Sequence, residues 1–71
     1  MEKAMCEANA YYIEPGEDRE TLIMQAVDQV IRDGPESWRL ISIFGEQKVV
    51  SGHIKSMHLV DHRIVFESAA Q

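Results

Sequence analysis

Between Trp38 and Glu67 the chain reads as two β-hairpins in succession, and that pattern limits the possible folds more than any other feature. Residues 38–44 (WRLISIF) and 48–51 (KVVS) flank Gly45-Glu46, and glycine at the first central position signals a type II′ turn. A two-residue turn there sets Phe44 against Gln47, Ile43 against Lys48, Ser42 against Val49 and Ile41 against Val50. Leu40, Phe44 and Val49 then share one face, and Ile41, Ile43 and Val50 the other. Apolar side chains on both faces mark a strand covered from both sides. In so short a chain, a second subunit is the natural cover for one of them.

Residues 53–60 (HIKSMHLV) and 63–67 (RIVFE) flank Asp61-His62, two residue types that tolerate the positive φ of a type I′ turn. That turn places Leu59 beside Ile64 and Met57 beside Phe66 on a core face. His58, Val60, Arg63 and Val65 occupy the opposite face. Upstream, residues 9–13 (NAYYI) followed by Pro15-Gly16 read as a strand entering a turn. Residues 20–34 are ambiguous. Apolar side chains at 23, 27, 30 and 31 have helical spacing, with Gly34 as a C-cap. The same stretch also accommodates two short strands, 21–24 and 28–32, before an Asp33-Gly34-Pro35 turn. Periodicity leans towards helix, and consistency with the hairpins leans towards strand.

A chain of 71 residues is one small domain. Folding at this size buries only about 60% of the unfolded surface, so a disulfide, a metal or a partner subunit commonly adds stability. A single cysteine, Cys6, rules out an internal disulfide. The lone thiol and the lack of an apolar leader fit a reducing cytoplasm, and no run reaches the roughly 18 apolar residues of a membrane span. Twelve acids against seven bases give a net charge of -5. That balance disfavours phosphate backbones as partners. Arg19, Arg32, Arg39, Lys48, Lys55 and Arg63 are scattered among acids and trace no basic stripe. No glycine-rich phosphate loop and no spacing suited to a Ser-His-Asp triad occurs, so the expectation is a protein without catalytic activity.

Three stretches together, MCEANAY (5–11), IFGEQK (43–48) and IKSMHLVDHRIVFE (54–67), resemble the CooT family, small proteins of anaerobic microbes. The resemblance runs from Met5 to about Glu67. It implies an all-β fold: a small Sm-like or SH3-like barrel of five to six antiparallel strands, forming a homodimer. It also implies strands across 20–32. It further implies Ni(II) binding through the cysteine after the start methionine, in proteins linked to maturing the nickel site of carbon monoxide dehydrogenase. The apo-form of a nickel enzyme is then the expected partner. Relatives also carry a label as RNA-binding proteins, which makes an RNA-binding Sm-like barrel the alternative function. In the family pattern the cysteine is the second residue, whereas here Met1–Ala4 precede Met5. Two readings of the start, Met1 and Met5, stay open. The corresponding domain plan is an extension over 1–4, a single domain over 5–67 and a frayed tail over 68–71.

Cys6 is the candidate metal ligand. Most free cysteines behave as small buried hydrophobes. A thiolate, however, binds borderline and soft divalent metals strongly. Near a chain start, sulfur, the terminal amine and the intervening amide nitrogen form adjacent chelate rings that suit square-planar Ni(II) and Cu(II). One chain supplies only a few such atoms, so two chains meeting at an axis complete the set. His53, His58 and His62 are expected to be solvated or turn residues, with His53 and His58 on opposite strand faces. Tyr11, Tyr12, Trp38, Phe44 and Phe66 are expected to pack in the core. Glu14, Glu17, Asp18 and Glu20 read as a solvated loop.

Overall fold

The structure, a computed structural model, describes residues 8–68. Six strands account for most of them: β1 (Ala8–Ile13), β2 (Glu20–Gly34), β3 (Ser37–Ser42), β4 (Gln47–Ser51), β5 (His53–His58) and β6 (Arg63–Glu67). They form one sheet in the order β4-β3-β2-β1-β6-β5. All pairings are antiparallel except β1 with β6, which is parallel. The all-β expectation holds. The all-antiparallel expectation does not, because the first and last strands run in the same direction side by side.

The ambiguous stretch is a single strand, β2, rather than a helix or two short strands. Its helical spacing has a structural cause. Met24, Val27 and Val30 face the core opposite Ala10, Ser42 and Leu40. Register shifts on either side of Val27 each add a residue to β2 relative to its neighbour, so core positions recur every three residues instead of every two. Ala26 takes φ +56° at the first of these bulges. Its amide donates to Asn9 Oδ1 at 3.4 Å, and its carbonyl accepts from Ile43 N at 2.9 Å. The first half of β2 thus pairs with β1 and the second half with β3.

The Pro15-Gly16 turn forms as the sequence suggests. Glu17 N donates to Glu14 O at 3.0 Å, and Gly16, at φ +78°, supplies the positive φ that follows proline in a type II turn. The β3–β4 hairpin differs from expectation. Trp38 faces Val50, Leu40 faces Lys48 and Ile41 faces Gln47, an offset of three residues from the type II′ register. An odd offset exchanges the faces. Leu40 and Val50 therefore lie together in the core, and Phe44 sits on the connecting loop, 77% exposed. Ser42 causes the change: its hydroxyl accepts from Phe44 N (3.1 Å) and Glu46 N (3.2 Å), so the ladder ends there and a longer loop closes around it.

In the β5–β6 hairpin Met57 faces Ile64 and His58 faces Arg63, an offset of two from the expected register. The core face is kept, with Ile64 and Phe66 buried, but Met57 and Leu59 are exposed. Val65, expected on the outer face with solvated neighbours, is only 1% exposed. His62 takes positive φ (+56°), as anticipated, whereas Asp61 does not.

The sheet is not closed into a barrel, in contrast to the expected Sm-like closure. Its two edges, β4 and β5, share no ladder and are instead consecutive in the chain, joined by Gly52 alone. Gly52 has φ +122°, and a Cβ there would lie 2.1 Å from Glu67 O. Around this corner single hydrogen bonds replace a ladder. Gly52 N donates to Glu36 O (2.7 Å), Trp38 Nε1 to Gly52 O (3.3 Å) and the Tyr12 hydroxyl to Ser51 O (2.9 Å). Strands of five and six residues bent at one glycine diverge before they can pair with each other. The core beneath comprises Ala10, Met24, Val27, Leu40, Val50, Ile64 and Phe66, with Trp38 packed against the Phe66 ring at 6.3 Å.

Candidate functional site

Cys6, the expected metal ligand, lies outside the described residues, as does Met5. The described chain begins two residues later, at Ala8, where β1 enters the sheet beside Val27 of β2. Asn9 N donates to His62 O at 2.8 Å, which ties this end of β1 to the β5–β6 turn. Ala8 forms one wall of a groove of about 340 Å³, with Met57, Leu59 and Ile64 as its apolar walls and His58 and His62 on its rim. The start of β1 and the β5–β6 turn are therefore one surface.

Arg63 anchors the neighbouring surface. Its guanidinium lies over the Tyr11 ring, 4.6 Å from the centroid, and donates to Glu20 Oε1. Desolvation works against its charge, but the Glu20 hydrogen bond, then that of the Tyr11 hydroxyl, and the two groups' charges outweigh it and push its basicity up. Nothing local in the sequence joins residues 11, 20 and 63. The parallel pairing of β1 with β6 does so. This cluster was missed by reading residues 14–20 as a solvated loop and Arg63 as a scattered cation.

The histidines do not converge. His58 Nε2 pairs with Ser56 Oγ at 3.2 Å, and His53 Nε2 with Glu67 Oε1 at 3.0 Å. A bulge between Ile54 and Ser56 changes their relation: opposite Glu67 and Arg63, His53 and His58 share a sheet face, contrary to strict alternation. They stand at opposite ends of β5. His53 and Glu67 line a shallow cleft of about 220 Å³ with Glu14 and Glu17. Among the described residues no three His, Cys, Asp or Glu side chains are grouped to hold a metal ion.

Other cations are engaged within the fold. Arg32 stacks over Trp38 at 5.6 Å and donates to the Gly34 and Pro35 carbonyls, and Arg39 bonds Asp33 (3.1 Å) and Gln47 (3.0 Å). Of the aromatics expected in the core, Phe66 is fully buried, Trp38 and Tyr12 are partly so, Tyr11 serves Arg63, and Phe44 is exposed. Among the described residues no helix is long and apolar enough to cross a membrane.

Comparison with known proteins gives two consistent results. The family model described as CO dehydrogenase accessory protein CooT matches residues 5–67. The crystal structure described as CooT from Carboxydothermus hydrogenoformans superposes with a TM-score of 0.78 at 40% sequence identity, covering 92% of this chain and 100% of that one. No curated protein matches.

Proposed function

This chain belongs to the CooT family of CO dehydrogenase accessory proteins, and from that premise we propose that it carries nickel as cargo for a nickel enzyme such as carbon monoxide dehydrogenase. The reading is one of capture and release without catalysis, by a homodimer in which Cys6 is the essential ligand. The observation that carries it is the extent of the family match, which begins at Met5 and takes in Cys6. Among the described residues no three His, Cys, Asp or Glu side chains are grouped to hold a metal ion, and the donors in this reading are Cys6, its backbone nitrogens and the matching atoms of a second copy. Thiolate with deprotonated amide nitrogen suits square-planar Ni(II).

The position of the amine decides the strength of the site. A chain starting at Met5 has its amine on Met5, or on Cys6 itself once the methionine is trimmed. In both cases amine, amide or thiolate atoms close five-membered rings around one ion. With Met1–Ala4 attached, the amine is four residues farther from Cys6. Ni(II) titration followed by charge-transfer absorption, on the form starting at Met1, the form starting at Met5 and Cys6→Ser, tests this. Tightest binding is expected for the Met5 form and none through sulfur for Cys6→Ser. Equal affinity in all three would falsify the role of Cys6. The RNA-binding alternative gains no support from the surface, since Arg32, Arg39 and Arg63 are committed to internal partners.

A further inference from the structure

Resting on the reading of this chain as a carrier that delivers nickel to an enzyme, we propose that the first half of β2 offers an open strand edge beside the β3–β4 loop, and that this edge takes an extended, apolar segment of the client enzyme bearing a lysine or arginine. The sheet register exposes the edge. β2 pairs with β1 over residues 20–27 and with β3 over residues 27–34. β1 covers one edge of the first half. On the other edge β3 stops at Ser42, opposite Val27. One bond carries the pairing a step further, Ile43 N to Ala26 O at 2.9 Å, and the chain then turns away at Phe44 into its loop. Among the described residues no strand continues the ladder beside 21–25 on that side. A strand paired on one side only presents a row of N–H and C=O groups on the other, a template for an added strand. This edge borders a groove of about 390 Å³ whose walls include Leu22, Gln25, Phe44 and Glu46.

The walls specify the segment. Strand addition takes its affinity from main-chain hydrogen bonds and its specificity from contacts to alternate side chains. Leu22, 44% exposed, and Phe44, 77% exposed, supply the apolar contacts. Phe44 is held ready by its loop. Its own N–H and that of Glu46 donate to Ser42 Oγ, and Ser42 N donates to Glu46 O at 2.9 Å. An aromatic side chain fixed in advance loses little entropy on docking and is the type that anchors an interface. Among the described residues lining the groove, Glu46 alone is charged. It selects a cation on the incoming segment, and the net charge of -5 favours a basic partner surface. A second copy fits these terms poorly. Adding the same edge of its own β2 in antiparallel fashion, it would bring its Glu17-Asp18 turn towards Glu46, like charge against like. A nucleic acid would bring phosphates to the same carboxylate.

The probe is nickel-free carbon monoxide dehydrogenase from the same organism, titrated with the full chain. Phe44→Ser and Glu46→Lys, both at exposed loop positions, should each weaken binding by roughly tenfold or more, with circular dichroism unchanged. Val49→Ser, on the outer face of β4, should bind as the wild type does. In hydrogen exchange, the amides of 21–25 that point away from β1 should slow when the enzyme is added. Ni(II) titration of Phe44→Ser should match the wild type, because the groove takes no part in holding the ion. Unchanged affinity in the Phe44 and Glu46 variants, or amides at 21–25 that exchange as fast in the complex as alone, overturns the groove as the docking site and leaves the carrier reading standing. Loss of self-association in those variants assigns the groove to a second copy and overturns the proposal likewise. A wild type that captures no nickel, yet binds the enzyme through Phe44, overturns the carrier reading and keeps the groove. A wild type that ignores the enzyme overturns both the groove and carbon monoxide dehydrogenase as the client.

Discussion

Ser42 is 2% exposed, yet it is the residue that redirects a whole hairpin. Its side-chain oxygen satisfies two loop amides, its own N–H donates to Glu46 O (2.9 Å) and its carbonyl accepts from Gly45 N (3.0 Å). Ser42→Ala removes the acceptor for two partly buried donors at once. We expect a loss of about 1–3 kcal/mol in urea unfolding, since an unsatisfied buried donor costs more than a hydrogen bond returns. On the proposed carrier reading, Cys6 acts at the same scale by different chemistry: a thiol gives up its proton to become a metal ligand, so the proposed nickel capture releases protons and weakens as the solution is acidified. Titrations at successively lower pH should show apparent affinity falling steadily, and an affinity independent of pH would point to ligands other than a thiol.

At the scale of the element, β2 and the Gly52 corner decide the architecture. β2 meets two different neighbours along its length because its bulges turn it from β1 towards β3. Ala26 holds the left-handed backbone this requires, a conformation that costs a residue with a Cβ roughly 1–2 kcal/mol. Glycine relieves that strain but adds freedom to the unfolded chain, worth about 0.5–1 kcal/mol. Ala26→Gly should therefore raise stability slightly, by up to about 1 kcal/mol, read as a small increase in melting temperature. Gly52 is the opposite case. Its added Cβ would collide with the Glu67 carbonyl, part of the backbone, and its φ already disfavours side chains. Gly52→Ala should cost about 3 kcal/mol or more, among the larger single-residue effects. Wild-type stability in that variant would mean that the corner is not tightly built.

At the scale of the whole molecule, charge and surface pairing set what the protein meets. A net charge of -5 and arginines already engaged by Glu20, Asp33 and backbone carbonyls leave few free cations for a polyanion. Exposed ion pairs of this kind add little to stability, but they do occupy the cations. Binding to single-stranded RNA at physiological salt should be weaker than micromolar and nonspecific. An affinity below micromolar with a steep salt slope would restore the RNA reading.

Strand-forming runs, the Pro15-Gly16 turn, the presence of both hairpins and the family were legible in the residues alone. Each is encoded locally, in alternation, in turn chemistry or in short motifs. Register was not. Where a hairpin ladder stops depends on which group captures the loop amides, and Ser42 does so only once Phe44 and Glu46 are folded back over it. The helix-like spacing of 24, 27 and 30 was equally misleading by itself, because bulges take their position from two neighbouring strands distant in sequence. The candidate surface divides the same way. Cys6 stands out by composition and motif, whereas the joining of the start of β1 to the β5–β6 turn depends on Asn9 reaching His62 across more than fifty residues of chain. Local sequence determined β1 and the two hairpins as elements, and tertiary structure decided that residues 20–34 form one bulged strand and which strand ends lie together.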